Sequence, residues 1–417
     1  MLKKFLIILF FLPSLFGQSK ILIEMDLSQT DHLKAYGITY NALLKGLKAD
    51  WLLNYKGGSF LIDYTQQIVN ECRVYGVSFQ ILDAIQSTEI YSVIQEKANN
   101  MNVVRLEKAP KIAVYVPPSF QPWDDAVTMV LEYAGVPYTK IWNDEILKGD
   151  LTKYDWVHLH HEDFTGQYGK FYASFSNAQW YNDNQILYEN DAKKNGFKKV
   201  SEMMNTVAED IKKYVGNGGF LFAMCSATDS YDIALAAHNV DIASNIYDGD
   251  AADTNAQSKL DFDNTLAFTD FKLEMNPYIY EYSNIDIQPL EIGSEENDYF
   301  TLFEFSAKYD PVPTMLTQDH VNVIHGFMGQ TTMFRKETIK PGIIILAQRD
   351  GTNQVKYIHG NFGRGTFTFY AGHDPEDYRH AVGDPPTDLS LYKNSPGYRL
   401  ILNNVLFPAA KKKEQKT

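Results

Sequence analysis

Apolar residues recur along this chain in two rhythms. Leu33, Tyr36, Tyr40, Leu43, Leu44 and Leu47 are spaced by threes and fours, the repeat of a helix with one buried face. Shorter runs, Lys20–Met25, Trp51–Tyr55, Ser59–Ile62 and Val77–Leu82, alternate or are wholly apolar and predict strands. With helices at Tyr64–Tyr75 and Thr88–Asn99, they predict an N-terminal α/β unit over residues 18–108. A second series begins after the charged, proline-containing link Glu107–Pro110. Strands at Lys111–Val116, Tyr138–Trp142, Tyr154–His161 and Phe220–Met224 alternate with helices at Trp123–Tyr133 and Val200–Val215. That order predicts an α/β domain, residues 109–410, with a mainly parallel, doubly wound sheet and helices on both faces.

The rhythm loosens over residues 241–340. Asp248, Asp250, Asp253, Asp261 and Asp263 sit among small residues, and Tyr278, Tyr280, Tyr282, Tyr299, Phe300, Phe303 and Phe305 follow. So many aromatics are incompatible with disorder, and the segment is expected to be an inserted, partly β lid. Ile343–Gln348 resumes the sheet, Gln354–His359 and Thr366–Tyr370 predict a hairpin, and Gly397–Leu406 a last helix.

The totals narrow the function classes. The 417 residues are 45% hydrophobic and 22% charged, a globular composition. The formal net charge is −14, and the tail 411–417 is locally basic, so the rest is more acidic still. Nucleic acid and anionic membrane are therefore poor partners, and a small molecule, peptide or glycan is the expected one. Met1–Gly17 has the form of a secretory signal: two lysines, an apolar run Phe5–Leu12, then Pro13, Ser14 and Gly17. The run is too short to span a bilayer, and the mature protein is expected in the periplasm or outside the cell.

Candidate chemistry centres on Gly218–Asp232. The apolar strand Phe220–Met224 runs directly into Cys225, and a helix is predicted at Ser230–Ala237 with Ser226, Thr228 and Asp229 as possible caps. Strand, reactive residue, helix is the layout of a nucleophile elbow, in which a sharp turn lifts the side chain off the sheet. Cys72, the only other cysteine, falls on the apolar face of a helix and could pair with it. A thiol nucleophile needs a base and a group to orient that base. His373 stands just past a predicted strand, with Asp374 and Glu376 close behind it. In a doubly wound sheet Cys225 and His373 share the carboxyl edge, where such sheets place their sites. A second constellation, His158, His160, His161, Glu162 and Asp163, ends another strand. Its imidazoles and carboxylates are weak metal candidates, because no known ligand spacing is present.

A strand ending Gly-Gly-Phe-Leu-Phe-Ala-Met-Cys, followed late in the chain by a Gly-Arg-Gly hairpin and His-Asp-Pro-Glu, resembles the class I glutamine amidotransferase-like superfamily. The resemblance implies a flavodoxin-like sheet, with Cys225 as nucleophile, His373 as base and Glu376, or its rival Asp374, as orienting acid. It also implies an oxyanion hole from the Ser226 amide and the loop at His161 and Glu162. Ala223 and Ala227 stand where the superfamily's elbow has glycines, and the spacing from His373 to Glu376 is one residue longer than usual.

Asp31–Gly37, Leu52–Gly58 and Gly383–Asp388 also resemble exported Bacteroidetes proteins labelled asparagine synthetase B. The label fits this chemistry poorly: Leu2 stands where that enzyme has its N-terminal cysteine, and no phosphate-cradling glycine loop is present. The leading expectation is an exported, cofactor-free cysteine hydrolase of an amide or related acyl bond. The alternatives are a non-catalytic glycan- or peptide-binding module and a metal hydrolase at His158–Asp163.

Overall fold

A computed structural model describes residues 19–410. The expected signal segment and basic tail lie outside the described residues. Five N-terminal strands, β1 (Lys20–Ile23), β2 (Ala49–Leu53), β3 (Ser59–Asp63), β4 (Gln80–Leu82) and β5 (Asn102–Leu106), form one sheet in the order β4-β1-β3-β2-β5. Every pairing in it is antiparallel. Ala84–Gln95 covers its outer face through Ile90 and Ile94, and His32–Leu44 covers the inner face. Asp31 caps the latter helix, because its carboxylate accepts the Lys34 amide.

The second sheet contains β6 (Ile112–Tyr115), β7 (Thr139–Ile141), β8 (Trp156–Leu159), β9 (Phe220–Met224), β10 (Tyr299–Leu302), β11 (Val323–His325), β12 (Phe334–Arg335), β13 (Ile344–Gln348), β14 (Gln354–Phe362) and β15 (Gly365–Tyr370). Their order is β11-β10-β13-β14-β15-β9-β8-β6-β7, with β12 beside β14.

This corrects the expected flavodoxin-like, mainly parallel sheet. Only β7, β6, β8, β9 and β15 run parallel to their neighbours. From β15 outward the pairings β14–β15, β13–β14, β10–β13 and β10–β11 are antiparallel. The turn at Gly363 and Arg364 reverses the chain at once, and a turn that short joins only antiparallel strands. Three strands of the expected insertion, β10, β11 and β12, join this half of the sheet.

Alternate residues of the parallel strands feed two cores. Val114, Phe222 and Met224 face a layer containing His32–Leu44, Ala126–Ala134 and Pro396–Leu406, shared with the N-terminal sheet. Ala113, Tyr115, Leu221 and Ala223 face the helices Val200–Gly216 and Ser226–Ala236. Among the described residues no helix is long and apolar enough to cross a membrane.

Candidate active site

The parallel half of the sheet brings the chemistry together. Its order β15-β9-β8-β6 sets the carboxyl ends of four strands side by side, and each is followed by a polar residue of the site. Cys225 follows β9 with no intervening loop. The helix opens at Ser226 rather than Ser230, so Cys225 is itself the N-cap. A turn this tight requires φ 50° and ψ −142° at Cys225, a region that side chains avoid. Both neighbouring strand ends hold the turn: the Cys225 amide donates to Gly372 O at 3.2 Å, and the Ala227 amide to His160 O at 3.1 Å. Gly372 has φ 96°, and a Cβ there would lie 2.6 Å from Lys356 Nζ.

His373 follows β15 by this route. Its ring lines one cavity with Cys225, and its Nε2 lies 3.3 Å from Asp124 Oδ1 and 3.1 Å from Asp124 O. His380 stacks on the other face of the ring, with centroids 3.8 Å apart. Burial opposes a charge on His373, but the hydrogen bonds to Asp124 and Cys225 outweigh it and raise the imidazole to about 10. Burial likewise pushes the Asp124 carboxyl up; the bond to His373 and its charge more than offset that and leave it below the usual range.

The carboxylates implied by the resemblance are placed elsewhere. Asp374 Oδ1 accepts from the Glu376 amide and Tyr398 OH, and its Oδ2 accepts from Thr387 Oγ1 at 2.6 Å. The Glu376 carboxyl is raised by burial, against an opposing interaction with Ser395. Both hold the loop after His373 to the last helix, and Asp124 stands where they were expected. The sequence reading placed Asp124 inside a helix from Trp123, but that helix starts at Ala126, capped by the Asp125 carboxylate at 2.8 Å. Trp123 and Asp124 are thereby left on the loop beyond β6. The available signal was Trp-Asp-Asp shortly after a proline-terminated strand, at the edge that carries Cys225.

The Ser226 amide, first in its helix, has no intrahelical acceptor. The other expected oxyanion donors are turned away: the amides of His160, His161 and Glu162 point at the Glu162 carboxylate, the first at 2.9 Å. Burial raises that carboxyl to about 8.

The expected metal set is brought together only in part: His158 and His160 meet beside Asp125, and His160 and His161 beside His373, without Asp163. Asp163 is consumed by the amides of Thr165, Gln167 and Gly169 and by Thr165 Oγ1. His158 Nδ1 donates to Phe222 O at 3.0 Å, and its Nε2 meets His160 Nδ1 at 3.2 Å. Cys72 and Cys225 are both free, and Cys72 lies in the core of the N-terminal layer.

A cavity of about 200 Å³ opens over Cys225, Ser226 and His373. Trp123, Phe171 and Tyr280 form one wall, with Trp123 stacked on Phe171 at 5.2 Å. Met328, Gly329, Gln330 and Thr332 form another. The buried Lys356 fixes this second wall by donating to Phe327 O at 2.5 Å and Thr332 O at 3.0 Å. Burial lowers its ammonium to about 7. Trp123 and His161 also line a neighbouring open cleft of about 900 Å³, which contains Asp124, Trp142, Asp191 and Lys194.

No protein-family model matches the chain, and no curated protein matches it significantly. Solved structures match loosely. Two cytoplasmic proteins of Salmonella typhimurium, STM3548 and STM1381, are 11% and 12% identical. Each has a TM-score of 0.34, over 72% of this chain and 100% of theirs. The exo-beta-1,4-mannosidase Op5Man5 of Opitutaceae bacterium strain TAV5 is 12% identical, at a TM-score of 0.25, over 63% of this chain and 31% of its own. Likeness at this level carries no argument about fold or function, which rest on the geometry above.

Proposed function

We propose that the protein is a hydrolase of an amide or related acyl bond with Cys225 as nucleophile, His373 as base and Asp124 as the group that orients the base. One observation carries this reading: a thiol on a strained strand-to-helix turn lines one cavity with an imidazole whose Nε2 is held by a carboxylate. In the reaction His373 carries the proton taken from the thiol, and sulfur attacks the acyl carbon. The carbonyl electrons move to oxygen, where the Ser226 amide stabilises them. When the carbon–nitrogen bond breaks, His373 returns the proton to the leaving amine. Water, deprotonated by His373, then cleaves the thioester and releases the acid. The class I glutamine amidotransferase-like resemblance supports Cys225 and His373 in these roles and gives Asp124 none. Export is carried in this reading by Met1–Gly17 alone.

The test is turnover of a panel of p-nitroanilides and p-nitrophenyl esters by wild type, C225A and H373A, with intact-mass detection of a thioester on Cys225. The expected result is turnover lost in both variants and an acyl adduct mapped to Cys225. Full turnover in C225A overturns the mechanism.

A further inference from the structure

We propose that His160, His161 and His373 bind a single transition-metal dication of the zinc type on the floor of the Cys225 cavity, and that its occupancy and thiol catalysis exclude one another. The site stands on its own geometry; the exclusion rests on the mechanism proposed above.

The three rings come from the ends of β8 and β15, and each offers a nitrogen within 4.8 Å of the others. A carboxylate stands beside every ring. Asp125 is 3.6 Å from His160 Nδ1, Glu162 is 3.8 Å from His161 Nε2, and Asp124 is 3.3 Å from His373 Nε2. Carboxylates beside imidazoles are the outer shell that orients metal-ligating histidines.

The decisive observation is unused valence. His160 is fully buried, and its Nε2 has no hydrogen-bond partner among the described residues; neither has either ring nitrogen of His161. Buried polar atoms are otherwise almost always paired. His158 Nδ1 donates to Phe222 O and its Nε2 meets His160 Nδ1 at 3.2 Å, so Nε2 is the His160 nitrogen left without a partner among the described residues.

Three imidazoles suit zinc, copper or nickel and not calcium or magnesium, which take oxygen ligands. Cys225, which lines the same cavity as His161 and His373, is the available fourth ligand through its sulfur. Zinc–nitrogen bonds of about 2.0–2.1 Å are short enough that binding draws the three rings together. A His373 nitrogen or a Cys225 sulfur bound to metal can neither accept the thiol proton nor attack a carbonyl.

The experiment uses metal-depleted full-chain protein titrated with Co²⁺ and with Zn²⁺. Binding of about one equivalent is expected, with cobalt d–d bands and a thiolate-to-cobalt charge-transfer band. Affinity should fall at least about tenfold in H160A and in H161A. The His161 ring lines the cavity and makes no hydrogen bond among the described residues, so H161A keeps the test open if H160A does not fold. Zn²⁺ should also slow iodoacetamide labelling of Cys225, and chelation should restore it. Substoichiometric binding, or binding unchanged in H161A, overturns the site. Stoichiometric binding without protection of Cys225 overturns the exclusion. Failure of the thiol mechanism is read separately, from C225A turnover without metal.

Discussion

Replacing Cys225 by glycine and by alanine tests the elbow without needing a substrate. Both variants lack the sulfur, so its loss cancels in the comparison. At an ordinary buried position, exchanging alanine for glycine costs about 0.5–1 kcal/mol in backbone entropy and about 0.8 kcal/mol for the buried methyl group. Ala227, fully buried two residues further along the same helix, is such a position. A227G should therefore lose about 1.5 kcal/mol. At Cys225, with φ 50° and ψ −142°, any side chain is strained by on the order of 1–3 kcal/mol, which glycine escapes. Taking about 2 kcal/mol for that strain, C225G should be more stable than C225A by about 0.5 kcal/mol. The quantity to read is the gap of about 2 kcal/mol between the two alanine-to-glycine exchanges. Urea unfolding of the four proteins under reducing conditions, with a common slope, measures it. If C225G is less stable than C225A by as much as A227G is destabilised, position 225 is unstrained in solution. The argument that the turn is held for the sake of the sulfur then fails.

Two other predictions follow from the buried acids. D124N should slow iodoacetamide alkylation of Cys225 in metal-free protein by roughly 10²-fold or more, whereas D374N and E376Q should leave it near wild type; equal effects in all three would remove Asp124 from its orienting role. Asp229, buried at the start of the helix after Cys225, has its carboxyl raised by burial to about 7 from an ordinary 3.8. The folded state therefore holds a proton that the unfolded state has released across that window, and stability falls as pH rises through it. D229N lacks this term, so its stability relative to wild type should improve by about 2–3 kcal/mol between pH 5 and pH 7.5 in urea unfolding; parallel profiles would mean that Asp229 is ionised in the fold.

The sequence by itself determined the local features. Apolar runs marked Phe220–Met224 and Thr366–Tyr370 as strands, and their next polar residues marked Cys225 and His373 as candidates. Spacing alone does this, because the period of burial is written residue by residue. Strand direction is not written that way. A buried apolar run reads the same whether its neighbour is parallel or antiparallel, so beyond the β14–β15 hairpin, which its short turn announces, the antiparallel half of the sheet became visible only once paired. The partner of His373 was hidden for a related reason. Asp374 and Glu376 are its neighbours in sequence, but their carboxylates turn toward Tyr398, Thr387 and Ser395. Asp124 lies 249 residues away and reaches the ring because β6, β8, β9 and β15 end along one edge. The same edge joins His373 to His160 and His161, whose unpartnered buried nitrogens no spacing could reveal. Sequence separation fixes what a residue can do locally; which groups share a proton or an ion is decided by strand order in the folded sheet.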